Sequence, residues 1–279
     1  MLNRSDIFNH PSRLPILKQQ ALVFLEVESA APRIAGIFGT QQRYLLSQIA
    51  MAIMFRHPQR LLLLNQFLEA TVATGVASRN TAHAFIHEMM KYGVVQPASQ
   101  PNGDKRMRPL LVAEEPIKLI GVWLRIHLQT LDAFDHGTRA SRLDADPRLL
   151  AAVHPRVVDG VMAAQSSVRP QGTFSLFTWM NDGGLVMDRM IGTIGDVSEG
   201  MDRYFTGITS FDDLAEPLRI TKTHLSRTMA VAEKDGSVGW QGKRGASPLW
   251  LSPEFIAQYV AYQADKLAAI DAAFAEAVA

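Results

Sequence analysis

Residues 221–234, TKTHLSRTMAVAEK, set apolar Leu225, Met229 and Ala232 at spacings of four and three among polar neighbours. That period predicts an amphipathic helix with Thr221 as its N-cap and Asp235-Gly236 as its end. Ahead of it, Ser210 opens FDDLAEPL with Asp213 three residues on, a capping-box start with Asp in place of Glu or Gln, and Pro217 and Ile220 end that short helix. Behind it, SVGWQGKRGASPLWLS holds two short apolar runs around a glycine-flanked tip, the pattern of a β-hairpin. Ile256, Val260, Gln263, Leu267, Ile270 and Phe274 then alternate spacings of four and three, a heptad-like seam with one polar interruption. They predict a long helix that needs a partner.

The same string of elements occurs earlier. Ser78 to Val95 aligns with Thr221 to Val238 at an offset of 143, which brings Lys91 onto Lys234, Gly93 onto Gly236, Ile86 onto Met229 and Arg79 onto Lys222. Beyond the glycines the offset falls to 139, where Glu115 meets Glu254, Ile117 meets Ile256, Leu128 meets Leu267 and Asp132-Ala133 meets Asp271-Ala272. Collinear matches of this extent indicate an internal repeat. The first copy reads as a helix from Asn65 to Thr74, a turn at Gly75, a second helix capped by Ser78, and a hairpin turning at Asn102-Gly103. Its long helix carries Ile117, Ile120, Leu124, Leu128, Leu131 and Phe134. A helix precedes each copy, Gln42–Phe55 before His57-Pro58 and about Leu185–Ile194.

Two helices joined by a tight turn and followed by a hairpin make a winged helix-turn-helix unit. The expected fold is therefore mainly α with small β-hairpin wings, two tandem winged units joined by long helices. The expected divisions are 1–135, with an N-terminal helix over about Pro15–Ser29, a helical linker 136–172, and 173–279. In the linker, Asp146-Pro147 predicts the start of a helix running to about Gln165, kinked or divided at Pro155, with Gly137 and Ser167–Gly172 as the flexible points. Gly192–Gly200 reads as a helix end and loop.

Net charge changes this picture only locally. The 28 Lys and Arg against 27 Asp and Glu leave +1, which excludes a uniformly basic coat protein. The 47% apolar and 20% charged residues describe a globule with a sizeable core. With no cysteine, the chain has neither a disulfide framework nor thiolate chemistry. The N-terminus lacks a signal-peptide core, and no apolar run of about 18 residues occurs, so the expected location is cytoplasmic. Phosphate-loop, nucleophile-elbow and dinucleotide motifs are missing, and no catalytic residues or cofactor are expected.

The chemistry that remains is polar and basic. The second helix of the first copy exposes Ser78, Arg79, Asn80, Thr81, His83 and His87, and that of the second copy Thr221, Lys222, Thr223, His224, Ser226 and Arg227. Arg and Lys can donate to guanine edges or phosphates, Asn can bridge adenine, and hydroxyls suit phosphate oxygens. The bland alternative is a solvated helix face. The hairpin tips add Lys105, Arg106 and Arg108 beside Asp104, and Lys243 with Arg244, each tip locally +2. Flanking phosphate or minor-groove contacts require such tips, although basic hairpins also serve solubility. His83 and His87 have a spacing that suits one metal, but no third ligand is evident, so DNA-facing or simply exposed histidines are expected. Phe174, Phe177, Trp179 and Met180 in FSLFTWM read as core, with a ligand pocket as the other reading.

The string TKTHLSRTMAVAEKDGSV, its GKRG tip and the long terminal helix resemble the recognition helix, wing and dimerisation helix of MarR-type winged-helix transcriptional regulators. The resemblance covers roughly 40–135 and 183–279. It implies a regulator that reads double-stranded DNA and responds to a small aromatic effector. Such regulators are usually single-domain homodimers, whereas this chain carries two units in tandem, a fused pseudo-dimer that acts alone or pairs again. The reading from another class is a winged-helix module that binds a protein partner and no DNA.

Overall fold

The computed structural model describes residues 1–30, 39–98, 109–164, 171–196, 201–216, 218 and 220–279. The Asn102-Gly103 turn, the first tip's Asp104, Lys105, Arg106 and Arg108, the stretch 165–170 and Pro217 lie outside the described residues. In chain order the elements are α1 (Arg4–Phe8), α2 (Arg13–Ala30), α3 (Gln41–Arg56), β1 (Leu61–Leu63), α4 (Leu64–Ala73), α5 (Arg79–Lys91), β2 (Val95–Pro97) and β3 (Pro109–Val112). They continue as α6 (Glu114–Asp135), α7 (Arg139–Ala145), α8 (Leu149–Ala163), α9 (Gly172–Thr178), α10 (Gly183–Gly192) and β4 (Tyr204–Phe205). The last are α11 (Phe211–Ala215), α12 (Lys222–Lys234), β5 (Val238–Trp240), β6 (Leu249–Leu251) and α13 (Pro253–Val278). The protein is mainly helical with two small antiparallel sheets.

The sequence repeat is also a repeat of elements and register. Helix, strand, helix, helix, strand, strand, helix occurs as α3 to α6 and again as α10 to α13. The sheets have the orders β1-β3-β2 and β4-β6-β5. Val95 pairs with Val112 as Val238 pairs with Leu251, so the offset between copies is 143 on one strand and 139 on the other. Each sheet has one strand more than the expected hairpin. Leu61–Leu63 pairs with β3, and Tyr204–Phe205 pairs with β6. Strands of three and two residues are too short for a period, and Leu61–Leu63 runs directly into the helical Leu64.

Local chemistry accounts for the helix ends. Ser78 Oγ accepts from the Thr81 amide, and Ser210 with Asp213 forms the capping box. Thr221 has the extended N-cap backbone, but its side chain makes no capping bond. Gly93 and Gly236 take φ of +71° and +70°, and the amides of Val94 and Ser237 reach back to Met89 O and Ala232 O at 2.9 and 3.0 Å. These are two copies of one left-handed helix stop. In the linker the helix begins at Leu149, two residues later than Asp146-Pro147 suggests, because Asp146 Oδ1 accepts from Arg148 N and holds a turn there. Pro155 withholds one N–H but does not divide α8.

The core positions of the two repeated helices are compensated. Ala82, Ile86 and Met89 are buried on α5, and Leu225, Met229 and Ala232 on α12. The larger side chain lies toward the C-terminal end of one buried face and the N-terminal end of the other. In the second sheet Gly239 faces Trp250 across β5 and β6, and a Cβ on Gly239 would lie 2.4 Å from the indole. Gln96 faces Leu111 at the equivalent pair. Only glycine leaves room for the larger cross-strand partner.

Compactness groups the chain differently from its linear order of 1–135, 136–172 and 173–279. One unit comprises Met1–Leu2, Gln42–Val168 and Leu267–Ala279, and the other Asn3–Gln41 and Arg169–Lys266. Helix α2 belongs to the second unit because its Leu14, Leu17 and Ala21 stripe is buried and it packs on α10. Gly192 lets Leu22 approach within 3.0 Å of where a Cβ would stand. No helix among the described residues is long and apolar enough to cross a membrane.

Candidate nucleic-acid interface

The polar positions of α5 and α12 cluster at the N-terminal ends of helices whose opposite faces are buried. On α5, Ser78, Arg79, Asn80, Thr81 and His87 are exposed and His83 is half-buried. On α12, Thr221, Lys222, Thr223, His224 and Arg227 are exposed and Ser226 is half-buried. Both faces point away from the buried stripe because that stripe recurs with the helical period. Helix N-termini carry free amides and the positive dipole end, which suits anionic groups. The first cluster is partly self-bonded, with Ser78 Oγ and Thr81 Oγ1 2.9 Å apart.

The second unit holds two of its cations on its own carboxylates. Lys222 Nζ ion-pairs with Asp212 of α11, and that bond raises the lysine's pKa. Arg244, at the tip between β5 and β6, donates from Nη2 to Glu233 Oε1 and Oε2 at 2.9 and 3.1 Å. Lys243 and Arg227 are exposed, and among the described residues neither makes an ion pair. Lys222 and Arg244 stand out in the sequence as residue types, whereas Asp212 and Glu233 do not. Glu233 lies 11 positions from Arg244 across a hairpin, a separation that carries no local signal.

His83 and His87 stand with ring centroids 4.6 Å apart. Among the described residues no group of three or more His, Cys, Asp or Glu is placed to hold a metal ion. Phe174, Phe177 and Met180 are core residues, with Phe177 edge-on to Phe255, whereas Trp179 is 51% exposed.

A buried polar string in the second unit was signalled in the sequence only by Gln263, the polar interruption of the long-helix seam. Tyr259 Oη donates to Asp188 Oδ1 at 2.9 Å, and Gln20 Nε2 donates to Gln263 Oε1 at 3.2 Å. Gln41 Nε2 reaches Tyr262 Oη at 3.2 Å, and Lys266 Nζ lies 5.5 Å from the Tyr262 ring centroid. Burial pushes Asp188 up to about 6 and Lys266 down to about 8, each opposed by the other's charge. These groups sit on α2, α10 and α13 and at the start of α3.

Comparison with family models, with curated proteins and with solved structures returned no match.

Proposed function

We propose that the chain is a sequence-specific DNA-binding transcriptional regulator of the MarR-like kind, with two tandem winged helix-turn-helix units in one polypeptide. The observation that supports this reading is the duplicated arrangement of parts. Each copy sets a 13-residue helix with an exposed polar N-terminal face ahead of the last two strands of a three-stranded antiparallel sheet. A helix of that kind fits the major groove, and the loop between the last two strands is the part that reaches a flanking groove or phosphate. The faces differ, Ser78-Arg79-Asn80-Thr81 against Thr221-Lys222-Thr223-His224, so a pseudo-palindromic site with unequal half-sites follows. The near-neutral net charge assigns affinity to these few contacts and not to a general positive field.

One observation favours the other reading, a winged-helix module for a protein partner. The Lys222–Asp212 and Arg244–Glu233 pairs satisfy two second-unit cations within the protein. Binding to random and genomic DNA across a salt series separates the two readings. The regulator retains DNA with an affinity that falls linearly in log salt, by about 0.9 per phosphate contact. No retention at the lowest salt leaves the protein-partner reading standing.

A further inference from the structure

We propose that Arg244 is a positioning residue that fastens the second wing to its own unit, and that its neighbour Lys243 is the wing's phosphate contact. The Lys243 half rests on the DNA-binding reading; the fastening half does not. Arg244 is held from two directions. Its guanidinium meets both oxygens of Glu233, and it lies 4.5 Å from the ring centroid of Phe211. Trp240 completes the seat, since its Nε1 donates to Glu233 Oε1 at 2.9 Å and its ring meets Phe211 edge-on at 5.9 Å. One carboxylate therefore joins the end of β5 and the wing tip to the C-terminal end of α12.

The next residue extends the fastening through the backbone. The Gly245 amide donates to Thr209 O at 2.8 Å, with φ of +88° that a side chain would strain. Thr209 is itself tied to Asp213 of the capping box, through both its amide and its hydroxyl. Arginine suits this task because its guanidinium donates to the carboxylate from Nη2 while its face lies on a ring. Lys243, adjacent and exposed, is the cation left to face outward. At the offset of 143, Glu233 and Trp240 correspond to Met90 and Pro97, which offer the first copy neither a carboxylate nor an aromatic face at those positions.

The test has a part without DNA and a part with it. Amide hydrogen exchange on the full chain reads Gly242 and Gly245 in Arg244→Ala, Arg244→Lys and Glu233→Gln. Exchange at Gly245 is expected to rise at least about tenfold in all three, as for a loop that opens locally. Unchanged exchange in Arg244→Ala and Glu233→Gln overturns the fastening. In DNA titrations, Lys243→Ala is expected to lower the salt slope by about 0.9, whereas Arg244→Ala weakens binding with its slope kept. A slope lost equally in Arg244→Ala makes Arg244 a contact and overturns the assignment. A wild-type chain that binds no DNA overturns the Lys243 assignment together with the regulator reading, and the exchange data still decide Arg244.

Discussion

The two compact units share element order, sheet order and register, yet they treat buried charge in opposite ways. In the first unit Arg139, 11% exposed, sits among Asp132, Asp135 and Asp271, at 3.1, 2.7 and 2.7 Å. Its bond to Asp135 lowers that carboxyl's pKa and raises its own. In the second unit Glu28 and Asp188 make no ion pair among the described residues, although the charge of Lys266 opposes the burial of Asp188. Burial pushes Glu28 up to about 7, helped by the charge of Asp182, and Asp188 up to about 6. A shared backbone plan therefore does not prescribe shared electrostatics. A helix pair needs only apolar stripes at the right period, whereas each buried charge depends on what happens to face it.

The largest expected effect tests the first half of that contrast. Arg139→Met leaves three carboxylates facing one another, with Asp271 3% exposed, and is expected to cost roughly 3–5 kcal/mol in denaturant unfolding. A loss below about 1 kcal/mol would show that water or rearrangement screens the cluster. Next is Gly239→Ala, whose Cβ would meet Trp250, at about 1–3 kcal/mol. Gln96→Ala at the equivalent exposed position should stay within about 0.5 kcal/mol. Similar costs at both sites would remove the compensation argued for the second sheet.

Acid should move the units in opposite directions, on the order of 1–2 kcal/mol. His154 in the first unit is held down to about 3 by burial, so its contribution is full above about 6.5 and is lost as pH falls toward 3. Asp188 and Glu28 in the second unit are raised, so theirs is full below about 4 and is lost as pH rises through 6 and 7. Lys266, lowered to about 8, has already lost its contribution by neutral pH. Native-state hydrogen exchange at pH 7 and pH 5 reads each unit separately. A common direction of shift would break the comparison. The smallest effect sharpens it: Gly93→Ala and Gly236→Ala, at φ +71° and +70° with open space where each Cβ would go, should cost about 1 kcal/mol each. Unequal costs would mean that the two helix stops are not equivalent.

What could be read without coordinates was whatever is decided within a few residues or by a steady period. Ser78 and Ser210 as caps, Gly93 and Gly236 as stops, the buried stripes and the offsets of 143 and 139 all rest on neighbours in sequence. Thr221 shows the limit of such reading, since its backbone caps α12 while its hydroxyl does not. The third strand of each sheet escaped because two or three residues carry no alternation and gain their hydrogen bonds from strands about 50 positions away. The same holds for the candidate interface. The cations and hydroxyls of α5, α12 and the second tip were legible as residue types, but Asp212 on Lys222 and Glu233 on Arg244 were not. Which cation is free depends on the carboxylate folding brings near it, and that partner lies a turn or a hairpin away. The grouping of α2 with α10 has the same origin, because an apolar stripe states that it must be covered and leaves open by what.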